Sequence, residues 1–224
     1  MKAPILYSFK RCPYAMRARM ALQLANIMCE IREIKLTNKP DHMLKVSPKG
    51  TVPVLVLENK IIDESNEIIE WVIEKVDICE GNLNKYEINL SEKLINTFDV
   101  KFKFHLDRYK YANRYDEITH KDDHRNECMK ILNDLDKIIS GYEWIFGKNI
   151  SKLDISILPF IRQFRIADPK WFDSQISIKN IHWLLNNFLE SKLHNEIMIN
   201  YQVWEEGSQP VFFPIPSSSN YKEL

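Results

Sequence analysis

Ser8-Phe9-Lys10-Arg11-Cys12-Pro13-Tyr14-Ala15 is the junction between two periodicities. Before it, Ala3 to Phe9 is a short apolar run that reads as a strand; after it, Pro13 to Asn26 carries Met16, Met20, Ala21 and Leu24 along one helical stripe. Cys12 therefore falls where a strand ends and a helix begins. A thiolate there is stabilised by the unpaired backbone N–H groups of the first turn and by the positive end of the macrodipole, so its pKa is expected to fall from roughly 8.5 toward neutrality. Pro13 suits the first helical position, because its missing N–H would have had no intrahelical partner there. Lys10 and Arg11 add positive charge beside the sulfur. Ala15 stands where a CxxC motif would carry its second cysteine. The motif cannot close on itself, and a mixed disulfide with a small thiol is the natural intermediate.

Outward from the junction, Cys29 to Leu36 reads as a second strand, which completes a βαβ unit with a parallel pair. A short helical segment around Asp41 to Val46 and a turn at Pro48-Lys49-Gly50 come next. Two strands, Val54 to Leu57 and Lys60 to Ile62, are joined tightly by Glu58-Asn59, and a helix from Ser65 to Val76 closes the series. The order β-α-β-(α)-β-β-α is that of a thioredoxin-like domain, expected over residues 1–76. In such a domain Val52-Pro53 holds the place of a cis proline opposite the active cysteine, leaving the Val52 backbone to pair with an extended peptide. Outside that frame an X-Pro bond is cis in only about 5–6% of cases, and Pro53 reads as a trans residue starting an edge strand. At Asp63-Glu64-Ser65, Ser65 can cap the closing helix or offer its N–H to a ligand carboxylate, while Glu64 can meet an ammonium group. Those are the two ends of a γ-glutamyl moiety. As a plain N-cap with an acidic first turn, the same residues need no ligand.

Beyond Asp77 the pattern changes to long helices. Residues 77–86, with Gly81, read as a linker, and residues 87–224 as an all-α domain with helices near Leu90 to Asn113, Thr119 to Ser140, Lys152 to Ile166, Ile178 to Phe188 and Ser191 to Tyr201. Ser151 and Asp154 form a capping box at the start of one of them, and Pro159 is expected to interrupt and kink it. Pro210, Pro214, Pro216 and Ser217 to Ser219 describe an extended tail.

Lys plus Arg and Asp plus Glu both number 31, so no global basic field argues for nucleic acid. The start of the chain turns polar too early for a signal peptide, and no run reaches the length of a membrane helix, which points to the cytoplasm. Cys29, Cys79 and Cys128 carry no CxxC pairing and read as small core residues. His120, His124 and Cys128 share a helical spacing, but the charges around them suggest a solvated stripe, and one helix cannot surround an ion. No metal is expected.

Together these motifs resemble the glutathione transferase superfamily, with a thioredoxin-like N-terminal domain followed by an all-helical C-terminal domain. Ser8 to Arg19 is similar to the cysteine-type branches, which include omega-class enzymes and two-domain bacterial glutaredoxins. The resemblance implies an enzyme with glutathione as cosubstrate. By position Cys12 would be catalytic, and Pro13, Tyr14, Lys39, Val52, Pro53, Glu64 and Ser65 would bind glutathione, Lys39 at its glycyl end. It implies thiol transfer through a Cys12–glutathione mixed disulfide, acting on a small-molecule or protein disulfide. The alternatives are conjugation of glutathione to small electrophiles and a non-catalytic ligand-binding or assembly role. Arg108, Tyr109, Phe164 and Trp171 are candidates for an acceptor pocket, and a homodimer accords with the superfamily.

Overall fold

The computed structural model describes residues 3–79, 83–115, 120–139 and 142–215. Gly81 of the expected linker, Thr119 and Ser140 at expected helix ends, and Pro216 to Ser219 of the expected tail lie outside the described residues. The chain divides into two compact units, Met1–Ile78 with Ser191–Leu224, and Cys79–Glu190.

The first unit opens with β1 (Ile5–Ser8), α1 (Pro13–Ala25), β2 (Cys29–Glu33), α2 (Asp41–Val46), β3 (Val54–Val56), β4 (Ile61–Ile62) and α3 (Ser65–Lys75). β1 pairs with β2 in parallel and with β3 antiparallel, and Leu6 stands beside both Ile31 and Leu55. Strand side chains alternate between faces, so these three share one buried face of the sheet. On the other face Tyr7 and Val54 join Ile34, Met43 and Val52 in a core to which Cys12 packs from its edge. α1 ends at Asn26, whose φ of 52° is left-handed and whose N–H returns to the Gln23 and Leu22 carbonyls.

The second unit contains α4 (Lys85–Thr97), a π-helical turn at Phe98–Phe102, α5 (Lys103–Lys110), α6 (Lys121–Asp136), α7 (Lys152–Ala167), α8 (Pro169–Asp173) and α9 (Lys179–Glu190). α7 packs against α4, α5, α8 and α9. It is buried on nearly every side from Leu153 to Ile161, the expected pattern for a helix at the centre of its unit. It runs unbroken with Pro159 inside it. The expected capping box is formed: Ser151 Oγ accepts from Asp154 N–H at 3.3 Å, and Asp154 Oδ2 accepts from Ser151 N–H at 2.9 Å and Ser151 O–H at 2.5 Å. Asp154 Oδ1 also accepts from Ile145 N–H at 3.0 Å, which ties the preceding loop to the helix.

The tail differs from expectation. Residues from Ser191 onward belong to the first unit and not to the helical one, through α10 (Lys192–Ile197), which packs on α1, and β5 (Phe212–Phe213), which pairs antiparallel with β2. The sheet therefore has five strands in the order β4-β3-β1-β2-β5. The physical reason lies in β2, whose outer edge presents backbone groups that need partners. Ile31 N–H donates to Val211 C=O at 2.8 Å, Trp204 N–H donates to Glu33 C=O at 2.7 Å, and Phe213 is buried in the process.

Candidate functional site

Cys12 is the N-cap of α1, with extended φ and ψ of −74° and 125°, and Pro13 is the first helical residue. The Phe9 carbonyl accepts the Cys12 N–H at 2.9 Å, and the Cys12 carbonyl accepts the Met16 N–H at 3.0 Å, so a tight turn feeds directly into the helix. The cysteine side chain makes no capping bond, and the first turn carries no acidic residue. The sulfur thus sits at the positive end of a 13-residue helix with no carboxylate in that turn to oppose it. Across from it, Val52 C=O accepts from the Cys12 S–H at 3.6 Å, and the Val52–Pro53 peptide bond is cis. Val52 precedes the β3–β1 register, which begins at Val54.

The other cysteines differ in kind. Cys29 and Cys128 are buried, and burial pushes both thiols far above their ordinary range. Burial disfavours the thiolate, so neither is a ready nucleophile. Cys79 is half-buried like Cys12, but it follows α3 and heads no helix.

At the second helix start, the N-cap of α3 is Glu64, and Ser65 is the first helical residue. Of the alternatives for Ser65, the side-chain cap is not formed: Ser65 Oγ accepts from Arg17 Nη1 at 3.3 Å, as does Asn66 Oδ1 at the same distance. Glu64 accepts from Lys49 Nζ at 2.7 Å, and Asp63 does so at 3.0 Å while also accepting from Ser47 Oγ at 2.8 Å. The Ser47 hydroxyl and Lys49 hold the Asp63 carboxyl below its usual range. Sequence reading missed Lys49, Asp63 and Arg17 as members of this group. Lys49 was legible only as part of a turn, and Arg17, buried with its guanidinium 5.4 Å from the Tyr14 ring centroid, only as a residue on a helix.

Lys39 reaches the loop before Val52. Gly50 has φ of +61°, and a Cβ there would stand 3.3 Å from Lys39 Nζ and 3.2 Å from Leu44 Cδ2. The first unit therefore brings Cys12 to Val52, Lys39 to Gly50, Glu64 to Lys49, and Ser65 to the α1 residue Arg17.

The acceptor candidates lie in the second unit. Phe164 is 1% and Tyr109 8% exposed, so both are core, with ring centroids 5.5 Å apart. Trp171 is half-buried beneath Arg125, which sequence reading did not single out, at 4.3 Å, and Arg108 lies over Phe104 at 3.5 Å. Of the His120, His124 and Cys128 stripe, His120 is exposed and the other two are not. His124 and Cys128 face the core, where His124 Nδ1 meets His105 Nδ1 at 2.8 Å, while His120 Nδ1 accepts from Asp122 N–H at 3.4 Å at the start of α6. Among the described residues no three or more His, Cys, Asp or Glu side chains gather to hold a metal, and no helix is long and apolar enough to cross a membrane.

Comparison with known proteins gives the amino-terminal part of the chain a family match. Residues 6–79 match the family described as glutathione S-transferase, N-terminal domain. A probable glutathione S-transferase DHAR2, chloroplastic, from Oryza sativa subsp. japonica is 26% identical over 160 residues, covering 70% of this chain and 53% of that protein. The chain thus spans about half the length of that relative. Glutathione S-transferase omega-2 from Rattus norvegicus is 37% identical over 75 residues, 34% of this chain and 27% of that one. A solved glutathione transferase family member from Pseudomonas fluorescens, with two glutathione bound, superposes with a TM-score of 0.74 at 17% identity, over 88% of this chain and 92% of that chain. At that identity the likeness speaks for the fold. The amino-terminal match falls on the unit that holds Cys12, so residues 6–79 carry a glutathione S-transferase N-terminal domain, and the fold along the chain is that of a solved glutathione transferase family member.

Proposed function

We propose that this protein is a glutathione-dependent thiol transferase working through Cys12. The observation that carries the reading is the position of the Cys12 sulfur, at the N-terminus of α1 and 3.6 Å from the Val52 carbonyl. In the first step the Cys12 thiolate attacks the glutathione sulfur of a mixed disulfide. The S–S bond breaks, a Cys12–glutathione disulfide forms, and the substrate leaves as a thiolate that takes a proton from water. In the second, the thiolate of another glutathione attacks the glutathione sulfur of that adduct, which releases the Cys12 thiolate and glutathione disulfide. Ala15 offers no internal thiol to do this instead.

The remaining roles follow the chemistry of the ligand. The Val52 backbone pairs with the cysteinyl backbone of glutathione, beside Pro53 and between the walls formed by Pro13 and Tyr14. Glu64 receives the γ-glutamyl ammonium, the Ser65 N–H at the start of α3 receives its carboxylate, and Lys39 receives the glycyl carboxylate. Support for the Glu64 role comes from Lys49, whose ammonium already lies 2.7 Å from that carboxylate. The acceptor is a small-molecule or protein disulfide, and the compartment is the cytoplasm.

Cys12→Ser separates this reading from conjugation. Thiol transfer needs a sulfur that bonds to glutathione, whereas activation of glutathione's own thiol needs only a hydrogen-bond donor. Assayed in parallel, the variant should lose disulfide exchange while conjugation to an electrophilic aryl halide persists or rises. Retention of disulfide exchange refutes the proposal.

A further inference from the structure

The turn that delivers Cys12 is held from behind. Phe9 C=O accepts the Cys12 N–H, so Lys10 and Arg11 are the central residues of a four-residue turn. Both backbone polar groups of Lys10 are engaged by buried charged side chains. Its N–H donates to Glu33 Oε1 at 2.6 Å, and its C=O accepts from Arg19 Nη2 at 2.7 Å. Arg19 also donates from Nη1 to Ser8 Oγ and from Nε to the Ile197 carbonyl at 3.0 Å. Arg19 is 1% and Glu33 8% exposed. One guanidinium thus joins the end of β1, the turn and the end of α10.

The tail covers this pair. Trp204 N–H donates to the Glu33 carbonyl, Lys10 Nζ donates to Asn200 Oδ1, and β5 seals the β2 edge on which Glu33 ends. Burial of Glu33 pushes its carboxyl up despite the bond from Lys10 and the nearby Arg19 and Lys10 charges. Removing opposite charges from water returns little net stability. What the arrangement does supply is a fixed orientation for two consecutive peptide units, those on either side of Lys10, two residues before the sulfur.

We propose that Arg19 and Glu33 are positioning residues for Cys12, clamped by the C-terminal segment, so that the tail sets the reactivity of the thiol. The inference rests on Cys12 being the reacting group, as proposed above. Helix-dipole stabilisation fades within the first turn, and a displacement of about 1 Å at a reacting atom can cost on the order of 100-fold in rate. Neither side chain touches the ligand; both act through the Lys10 backbone.

The test is alkylation of the full chain by iodoacetamide across a range of pH, read by peptide mass spectrometry so that Cys12 is followed separately from Cys79. The sulfur displaces iodide as its thiolate, so the midpoint of the pH–rate profile reports the thiol–thiolate balance at Cys12. Glu33→Ala should raise that midpoint and slow alkylation at neutral pH about tenfold. Glu33→Gln, which keeps an oxygen for the Lys10 N–H, should restore most of the rate. A Glu33→Ala protein that melts earlier but keeps the wild-type midpoint and rate overturns the proposal, because the pair is then only structural. If Glu33→Ala does not fold, Arg19→Lys replaces it: the charge stays, but one amine cannot hold the Lys10 and Ile197 carbonyls in the same geometry, and an unchanged midpoint is again fatal. Iodoacetamide needs no glutathione. A wild-type protein that takes no glutathione, with variants that still shift alkylation, refutes the thiol-transferase reading and leaves this one standing.

Discussion

Asp154→Ala removes one carboxylate and leaves several groups without partners. Asp154 is fully buried and accepts from Ile145 N–H at 3.0 Å and from Ser151 N–H at 2.9 Å, besides the Ser151 hydroxyl. Each buried N–H left unsatisfied costs about 1–3 kcal/mol, and the lost Ser151 hydroxyl bond about 1 kcal/mol, so the substitution should cost about 3–7 kcal/mol. That is a large share of the ~5–15 kcal/mol that holds a domain together. The pH dependence has a definite sign. Burial raises the Asp154 carboxyl to about 6, outweighing its hydrogen bonds, against about 3.9 in an unfolded chain. A group so raised contributes its full stability below about pH 4 and loses it as the pH rises through about 6. Urea unfolding followed by circular dichroism at pH 5 and pH 8 measures both effects, and the gap between wild type and variant should be the larger at pH 5. A variant within about 1 kcal/mol of wild type, or a gap that widens toward pH 8, refutes this reasoning.

Other perturbations test other parts of the structure. Gly50→Ala forces a Cβ into left-handed backbone and against Leu44 and Lys39, and thermal melting should record a loss of about 1–2 kcal/mol. Glu64→Gln should weaken glutathione binding by about tenfold in titration calorimetry, since a charge-assisted bond to the ammonium is lost, while the melting temperature barely moves because the Lys49 pair is solvent-exposed. Burial and the neighbouring His124 hold the His105 imidazole below its ordinary range, with Glu127 opposing and Lys101 and Arg108 adding to the depression. The unfolded chain therefore binds that proton first, and stability should fall as the pH drops below about 6.5, less steeply in His105→Gln.

Much of the first unit was legible because its signals are local. Cys12-Pro13 marks the strand-to-helix junction within two residues, Val52-Pro53 marks the loop that meets the Cys12 sulfur, and Glu64-Ser65 marks the start of α3. The pairs that complete the site are not local. Arg17 with Ser65, Lys49 with Glu64 and Arg19 with Lys10 each join side chains or backbone groups of different elements, and nothing in either partner's neighbourhood names the other. β5 escaped for a related reason: two residues between Pro210 and Pro214 have no period of their own, and their strand character comes from the open edge of β2. The α6 stripe was misread although its signal was present. His124, Cys128, Ile131, Leu132 and Leu135 follow helical spacing into a core, and the charges at Asp123 and Lys130 belong to the opposite face.

The central claim, that Cys12 bonds to glutathione, is tested most directly by intact-protein mass spectrometry after exposure to glutathione disulfide. The account predicts one added glutathione, located at Cys12, removed by excess reduced glutathione and lost in Cys12→Ser. No adduct on the folded wild-type protein, or an adduct that survives in Cys12→Ser, would contradict it.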